Sequence, residues 1–279
     1  MVKLILCLGL ILGVSFAQEL KIGFLPYTNA IKLLQVHTPL REFLQQELQK
    51  DYPDIEVVIL SSSSYEGIYK DAAEGKFDII VTGPHFGALH IKEGFLPIAR
   101  YKATLTPIFV VKKGSNYKTP TDLNGTQIAL SNRLSVSTMG GKKWLEDSGM
   151  KEDVNFSVFE APSHTTAIHS VVIGESAAAI TTYTPIKQLA QYMQDTIRSF
   201  ETPFSVPHLF TVADKNMDKE YAKKIKDTLF AFQNTKEGRE YFKSTGYEGY
   251  VEITQKDLEE MEPYRSEEHT SELQSPNTI

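Results

Sequence analysis

The chain is 279 residues long, carries 29 Lys and Arg against 35 Asp and Glu for a formal charge of −6, and has a single cysteine. That length allows one large or two medium domains, each held by an ordinary hydrophobic core. The mild acidity, with no basic patch and no aromatic-basic interleaving, argues against a nucleic-acid partner. It leaves a small anionic ligand open, because oriented backbone amides bind anions whatever the overall charge.

Residues 1–17 read as a secretory signal peptide. Lys3 is the positive start, residues 4–14 the apolar stretch, and Ser15-Phe16-Ala17 the small-x-small cleavage site. The apolar run falls short of the ~20 residues a spanning helix needs. Polar Gln18 and Glu19 follow at once, which favours cleavage over an uncleaved anchor. The expected location is the periplasm. Cys7 sits inside the apolar stretch, so the mature chain is expected to have no thiol and no disulfide. Residues 265–279, opening Arg265-Ser266-Glu267-Glu268-His269, have no apolar periodicity and resemble translated adapter read-through. They are set aside as a foreign or disordered tail.

Between these ends, strand and helix signals alternate with short connections, the pattern of an α/β fold. Residues 20–25 predict a strand, and Thr38-Pro39 opens a helix with Leu40, Phe43, Leu44 and Leu48 on one face. A strand follows over 55–60, a helix over 65–74, a strand over 78–81, and a helix from about His85 after Thr82-Gly83-Pro84. Residues 108–111 predict a buried strand. A second set then begins: strand 127–130, helix 138–148, strand 155–159, helix 163–173, strand 177–180 and helix 185–193. Strand 209–212 and helices 219–232, 237–244 and 255–261 complete the chain.

Two α/β units, with the chain entering the second and returning, predict a two-lobed fold with discontinuous lobes joined by a two-strand hinge. The expected boundaries are 18–113 with 206–264 for the first lobe and 114–205 for the second. Ligands in such folds sit in the crevice at the strand C-terminal ends.

The segment carrying most chemistry joins the strand at 127–130 to the next helix. Ser137 or Thr138 suits its N-cap, leaving several backbone N–H groups without helical partners, and Gly140 and Gly141 are expected to let a ligand approach. Amides, two hydroxyls and a positive helix end suit a tetrahedral oxyanion; a plain helix cap would look the same.

Ser137-Thr138-Met139-Gly140 resembles the Ser-Thr-Ser-Gly loop of the PhnD-type phosphate, phosphite and phosphonate-binding proteins of ABC importers, members of the type II periplasmic-binding-protein fold. The resemblance extends to Lys21-Ile22-Gly23-Phe24-Leu25-Pro26, Ser64-Tyr65-Glu66-Gly67, Gly75-Lys76-Phe77-Asp78, Thr82-Gly83-Pro84-His85-Phe86, Asp122-Leu123-Asn124-Gly125 and Ser163-His164. It implies a receptor, not an enzyme, with no cofactor and no metal. Its partners would be a small anion and a membrane permease, and the chain would act as a monomer. Ser137 and Thr138 would donate hydroxyl and amide hydrogen bonds, with Met139 and Gly140 amides nearby. Tyr65 would donate from the other lobe beside Thr82 and Gly83. His164, next to Ser163, would donate a ring N–H, in a charged form favoured by the anion.

Two departures from that family stand out. Its aminoalkyl-phosphonate binders hold the ammonium with carboxylates, yet Thr181-Thr182-Tyr183-Thr184 and Val206-Pro207-His208 offer none. Met139 also replaces a serine and its hydroxyl. Both favour a smaller oxyanion or a different solute. Three rival readings compare less well or stay level. An enzyme would need a nucleophile and base that the adjacent Ser163 and His164 do not make. Histidines at 85 and 90, and at 164 and 169, are five apart, about 140° around a helix, unlike zinc ligands. A sensor feeding a membrane kinase would share every one of these residues.

Overall fold

The computed structural model describes residues 19–264. The signal-peptide and foreign-tail readings fall on residues outside that range. In the first lobe, β1 (Glu19–Phe24), α1 (Ala30–Leu48), β2 (Glu56–Ser61), α2 (Tyr65–Ala73), β3 (Ile79–Thr82) and α3 (Pro84–Lys92) build parallel βα units, followed by β4 (Leu96–Tyr101) and the short β5 (Thr104–Leu105). The second lobe runs through β6 (Ile108–Lys112), β7 (Thr126–Leu130), α4 (Val136–Asp147), β8 (Phe156–Glu160), α5 (His164–Ile173), β9 (Ala178–Thr181), α6 (Tyr183–Lys187), α7 (Gln191–Gln194) and β10 (Ile197–Glu201). The chain returns through β11 (Val206–Pro207) to β12 (Phe210–Ala213), α8 (Lys219–Phe232), α9 (Lys236–Thr245), β13 (Tyr250–Val251) and α10 (Gln255–Glu260).

The strand orders are β13-β4-β12-β3-β1-β2 in the first sheet and β10-β6-β9-β7-β8 in the second. Between them β5 and β11 pair antiparallel, Leu105 against Val206, as a two-strand hinge. Alternation sends neighbouring residues of β6 to opposite faces. Ile108 and Val110 pack with Ala167, Ile168 and Val171 of α5, whereas Phe109 and Val111 pack with Leu145 of α4. The first lobe closes around one core joining its sheet to α1, α2, α8 and α9.

Four expectations need correction. The first crossing lies at residues 106–107, not after 113, because β6 hydrogen-bonds to β9 and β10 of the second sheet. Its apolar run would suit a central strand in either sheet, so the run says nothing about which lobe owns it. The first helix starts at Ala30 rather than at Thr38-Pro39, since Asn29 Oδ1 accepts the Lys32 N–H at 2.9 Å. Pro39 then sits inside the helix, where it forfeits a hydrogen bond. The buried stripe Leu33, His37, Leu40, Leu44 and Leu48 holds the helix through that position. The helix expected over 185–193 is two short ones, α6 and α7. Finally, β4 was not anticipated: Pro97 interrupts its pattern, and the β12 register shifts between Thr211 and Val212 opposite it, a bulge that accommodates the missing N–H.

His37 is fully buried. Its Nε2 lies 3.1 Å from the Tyr27 hydroxyl, its Nδ1 lies 2.9 Å from that of Tyr241, and its ring stacks on Phe24. Burial lowers its pKa from 6.5 to about 3, and likewise that of His164 to about 4. His208 falls to about 3 through burial and then the charge of Arg100. In the unfolded chain each takes a proton near 6.5, so the stability they contribute is present above that pH and is lost as pH falls toward 4. The unfolding free energy from urea titrations should decline over that window by about 1.4 kcal/mol per pH unit for each histidine. A His37→Gln protein should be less stable but show a shallower decline; an unchanged slope would contradict a neutral buried His37.

Candidate functional site

The loops leaving β1, β3, β7 and β9 meet at a cavity of ≈ 40 Å³ between the lobes. One water needs about 10–15 Å³ on the same measure, so the space suits a compact guest of a few atoms. Its wall includes Leu25, Tyr27, Tyr65, Gly83 and His85 from the first lobe and Ser135, Val136, Ser137, His164 and Thr182 from the second. Among the described residues, no Asp, Glu, Lys or Arg lines it. The first turns of α2, α3, α4 and α5 all contribute to this wall, so four helices present their positive ends here.

α4 is the best-equipped of these. Its N-cap is Ser135, earlier than the expected Ser137 or Thr138. A turn just before sets this start: Asn132 Oδ1 accepts the Leu134 N–H at 2.7 Å, and Asn132 O accepts the Ser135 N–H at 3.2 Å. Ser135 makes no side-chain cap; its Oγ lies 2.7 Å from Ser137 Oγ. The amides of Val136, Ser137 and Thr138 have no partner among the described residues. Met139 N–H donates to Ser135 O at 2.9 Å, so it is not the free donor expected from the sequence. Thr138 is wholly buried and its Oγ1 has no hydrogen-bond partner.

Across the gap, Tyr65 at the start of α2 brings its hydroxyl to 3.4 Å from His164 Nε2. Ser131 Oγ lies 3.2 Å from the same nitrogen, and Thr181 Oγ1 lies 3.1 Å from Nδ1. Burial pushes the Tyr65 phenol up to about 12, so it keeps its proton. Burial also lowers the His164 pKa to about 4, so the ring is neutral at neutral pH in the protein alone.

Of the residues singled out in the sequence, the wall thus gathers Tyr65, Gly83, Ser137 and His164. Five stand back from it. Thr82 ends β3, buried opposite Phe210. Thr138 lies in the same turn as Ser137 but off the wall. Met139 faces a surface groove with Arg133, Lys142 and Tyr264. Ser163 Oγ caps α5 by accepting the Thr166 N–H at 3.2 Å. Gly140 does not open a path for a ligand: a Cβ there would lie 2.9 Å from Pro107. Gly141 is equally committed, its added Cβ meeting Ile180 at 2.6 Å. These two glycines let α4 sit down on the hinge and on β9. Sequence reasoning missed Tyr27, His85, Ser135, Leu105, Leu209 and Tyr247 on the wall, and read His208 only as a missing acid. His85 lies inside the Thr82–Phe86 motif and Ser135 two residues before Ser137; the others come together only through the fold.

Two α/β lobes closing on a cavity about a two-strand hinge define the type II periplasmic-binding class. Residues 22–258 match the family of ABC transporter, phosphonate, periplasmic substrate-binding proteins, and the chain belongs to that family. Its members are periplasmic receptors serving membrane permeases rather than enzymes. Among solved structures, the chain is similar to PhnD1 of Prochlorococcus marinus in complex with methylphosphonate, at 16% identity, TM-score 0.76, and coverage of 93% of this chain and 99% of that one. A binding-protein component of a phosphonate ABC transporter from Pseudomonas aeruginosa gives 14% identity, TM-score 0.77, and coverage of 93% and 94%. The aliphatic sulphonate binding protein of Escherichia coli gives 16%, 0.58, 94% and 90%. No curated protein matches the chain by sequence.

The seating of α4 gives a direct test. Gly141→Ala forces a methyl against Ile180, an overpacking that should cost about 1–3 kcal/mol. Chemical denaturation should show the loss, whereas Gly125→Ala, with nothing within 4 Å of its added Cβ, should show only the smaller cost of a positive φ.

Proposed function

We propose that the protein captures a small phosphorus oxyanion, a phosphonate, phosphite or phosphate, in the interlobe cavity and delivers it as a monomer to the permease of an ABC importer. The observation that carries this reading is the first turn of α4, with three successive unpaired amides beside a cavity that has no carboxylate in its wall. Such a turn favours a negative guest rich in acceptors. The orphaned Thr138 hydroxyl, in the same turn as Ser137, supports the same reading.

In the proposed complex Ser137 and Thr138 donate hydroxyl and amide hydrogen bonds to the phosphoryl oxygens. Tyr65 donates from the first lobe and closes the gap, and His164 adds a ring N–H held in place by Thr181. Gly83 shapes the floor, Thr82 supports it from the end of β3 behind, and Met139, Gly140 and Ser163 act from behind by seating α4 and α5. A ligand ammonium would find no carboxylate here, and burying it unpaired is costly, so aminoalkyl phosphonates are poor candidates. The Prochlorococcus relative's methylphosphonate complex is in keeping with a guest of this size.

Calorimetry with phosphite, phosphate, methylphosphonate and sulfate tests the proposal. Ser137→Ala, Thr138→Ala and Tyr65→Phe should each weaken the best of these by roughly tenfold or more, the worth of one hydrogen bond to a charged group, with melting temperatures little changed. Folded protein that binds none of the four would defeat the assignment.

A further inference from the structure

His208 follows the hinge strand β11 and stands on the first-lobe side of the cavity, buried. Its Nδ1 accepts the backbone N–H of Leu209 at 2.8 Å. A neutral imidazole has one lone-pair nitrogen and one N–H, so this bond assigns the proton to Nε2. The ring cannot readily turn over, because it packs edge-on against Tyr101 and Tyr247 with centroids 5.6 and 4.9 Å away. Burial and the charge of Arg100 keep it neutral.

Several of the groups around it are apolar or hydrogen-bonded elsewhere. Leu25, Leu105 and Leu209 are apolar. The Tyr27 hydroxyl is engaged with His37 Nε2 at 3.1 Å, and Thr184 Oγ1 donates to Thr245 O at 3.1 Å. Nε2 itself makes no hydrogen bond with any described residue. His208 thus presents an N–H with no acceptor among the described residues, and the space leaves little room for a bridging water beside a tetrahedral anion.

We infer that His208 is a specificity-determining residue whose Nε2–H reads the fourth substituent of the tetrahedral guest. Phosphate offers an oxygen there, which accepts; phosphite offers hydrogen and methylphosphonate a methyl group, neither of which can. The site then prefers phosphate, because the other two leave a buried donor unmatched. This rests on the oxyanion reading above and sharpens it.

Dissociation constants for phosphate, phosphite and methylphosphonate, measured on the wild-type protein and on His208→Phe and His208→Gln, test it. Wild type should bind phosphate at least roughly tenfold tighter than the other two, the discrimination one unmatched buried donor gives. His208→Phe keeps the ring packing and removes the N–H. It should weaken phosphate alone and bring the three anions within about threefold of one another. His208→Gln, which restores an N–H at similar reach, should recover part of the preference. The ¹⁵N imidazole spectrum of the wild type should show a protonated Nε2 and a lone-pair Nδ1, and it decides the donor assignment even where a variant fails to fold. The inference is overturned by the opposite tautomer, by wild type binding methylphosphonate or phosphite as tightly as phosphate, or by His208→Phe weakening all three equally. Binding without discrimination removes this inference alone; no binding of any anion by folded wild type removes the parent reading with it.

Discussion

A buried N–H with nothing to bond costs about 1–3 kcal/mol, and the first turn of α4 gathers three of them beside the unpartnered Thr138 hydroxyl. Helix geometry makes this unavoidable, since the first amides of any helix lack an acceptor one turn back. Most helices here settle the matter locally. Asn29, Ser64, Ser163, Asp218, Thr235 and Thr254 each turn a side-chain oxygen onto their own first turn. Ser135 does not, and its hydroxyl goes to Ser137 instead. Those unsatisfied donors are left beside the cavity.

The surroundings keep that turn in place. Arg133, two residues before the cap, forms ion pairs with both Glu152 and Glu160, and Lys142 of α4 reaches Glu152 at 2.6 Å. Hydrogen bonding from Arg133 holds the Glu152 carboxyl down at about 2, so these links persist through the physiological range. Behind the helix, Gly140 and Gly141 allow contact with Pro107 and Ile180 that any side chain would block. The loop is thus tied at its front by charge and at its back by close packing. The positive helix ends then face the cavity at a fixed spacing, which is what preorganised anion recognition requires.

Much of the architecture was legible because it follows from local pattern. The alternation of apolar strands with amphipathic helices implied two α/β units, and the helix over Lys219–Phe232 follows directly from its periodicity. The misreadings share a cause. The Ile108-Phe109-Val110-Val111 run is apolar on both faces and so cannot report which sheet it joins. Pro39 looked like a helix start because its missing N–H is harmless there, yet the cap at Asn29 and a continuous buried stripe outweigh it. At the site, Tyr65, Ser137 and His164 could be picked out because each lies at a helix start with a motif around it. Tyr27, His208 and Tyr247 could not, because the chain brings them together only after the second lobe has been traversed.

The way the second lobe is inserted has a consequence for how the chain assembles. Its entry and exit lie side by side, with the Thr202 N–H donating to Pro107 O at 3.0 Å, and its five strands are continuous in sequence. It has all the partners it needs within one stretch. The first sheet does not, because β12 is wedged between β3 and β4 near its middle and arrives only after residue 209. Until that strand slots in, β3 and β4 have an open seam between them. The N-terminal part of the chain must therefore wait, incompletely zipped, for a segment that emerges after its neighbour can already have finished folding.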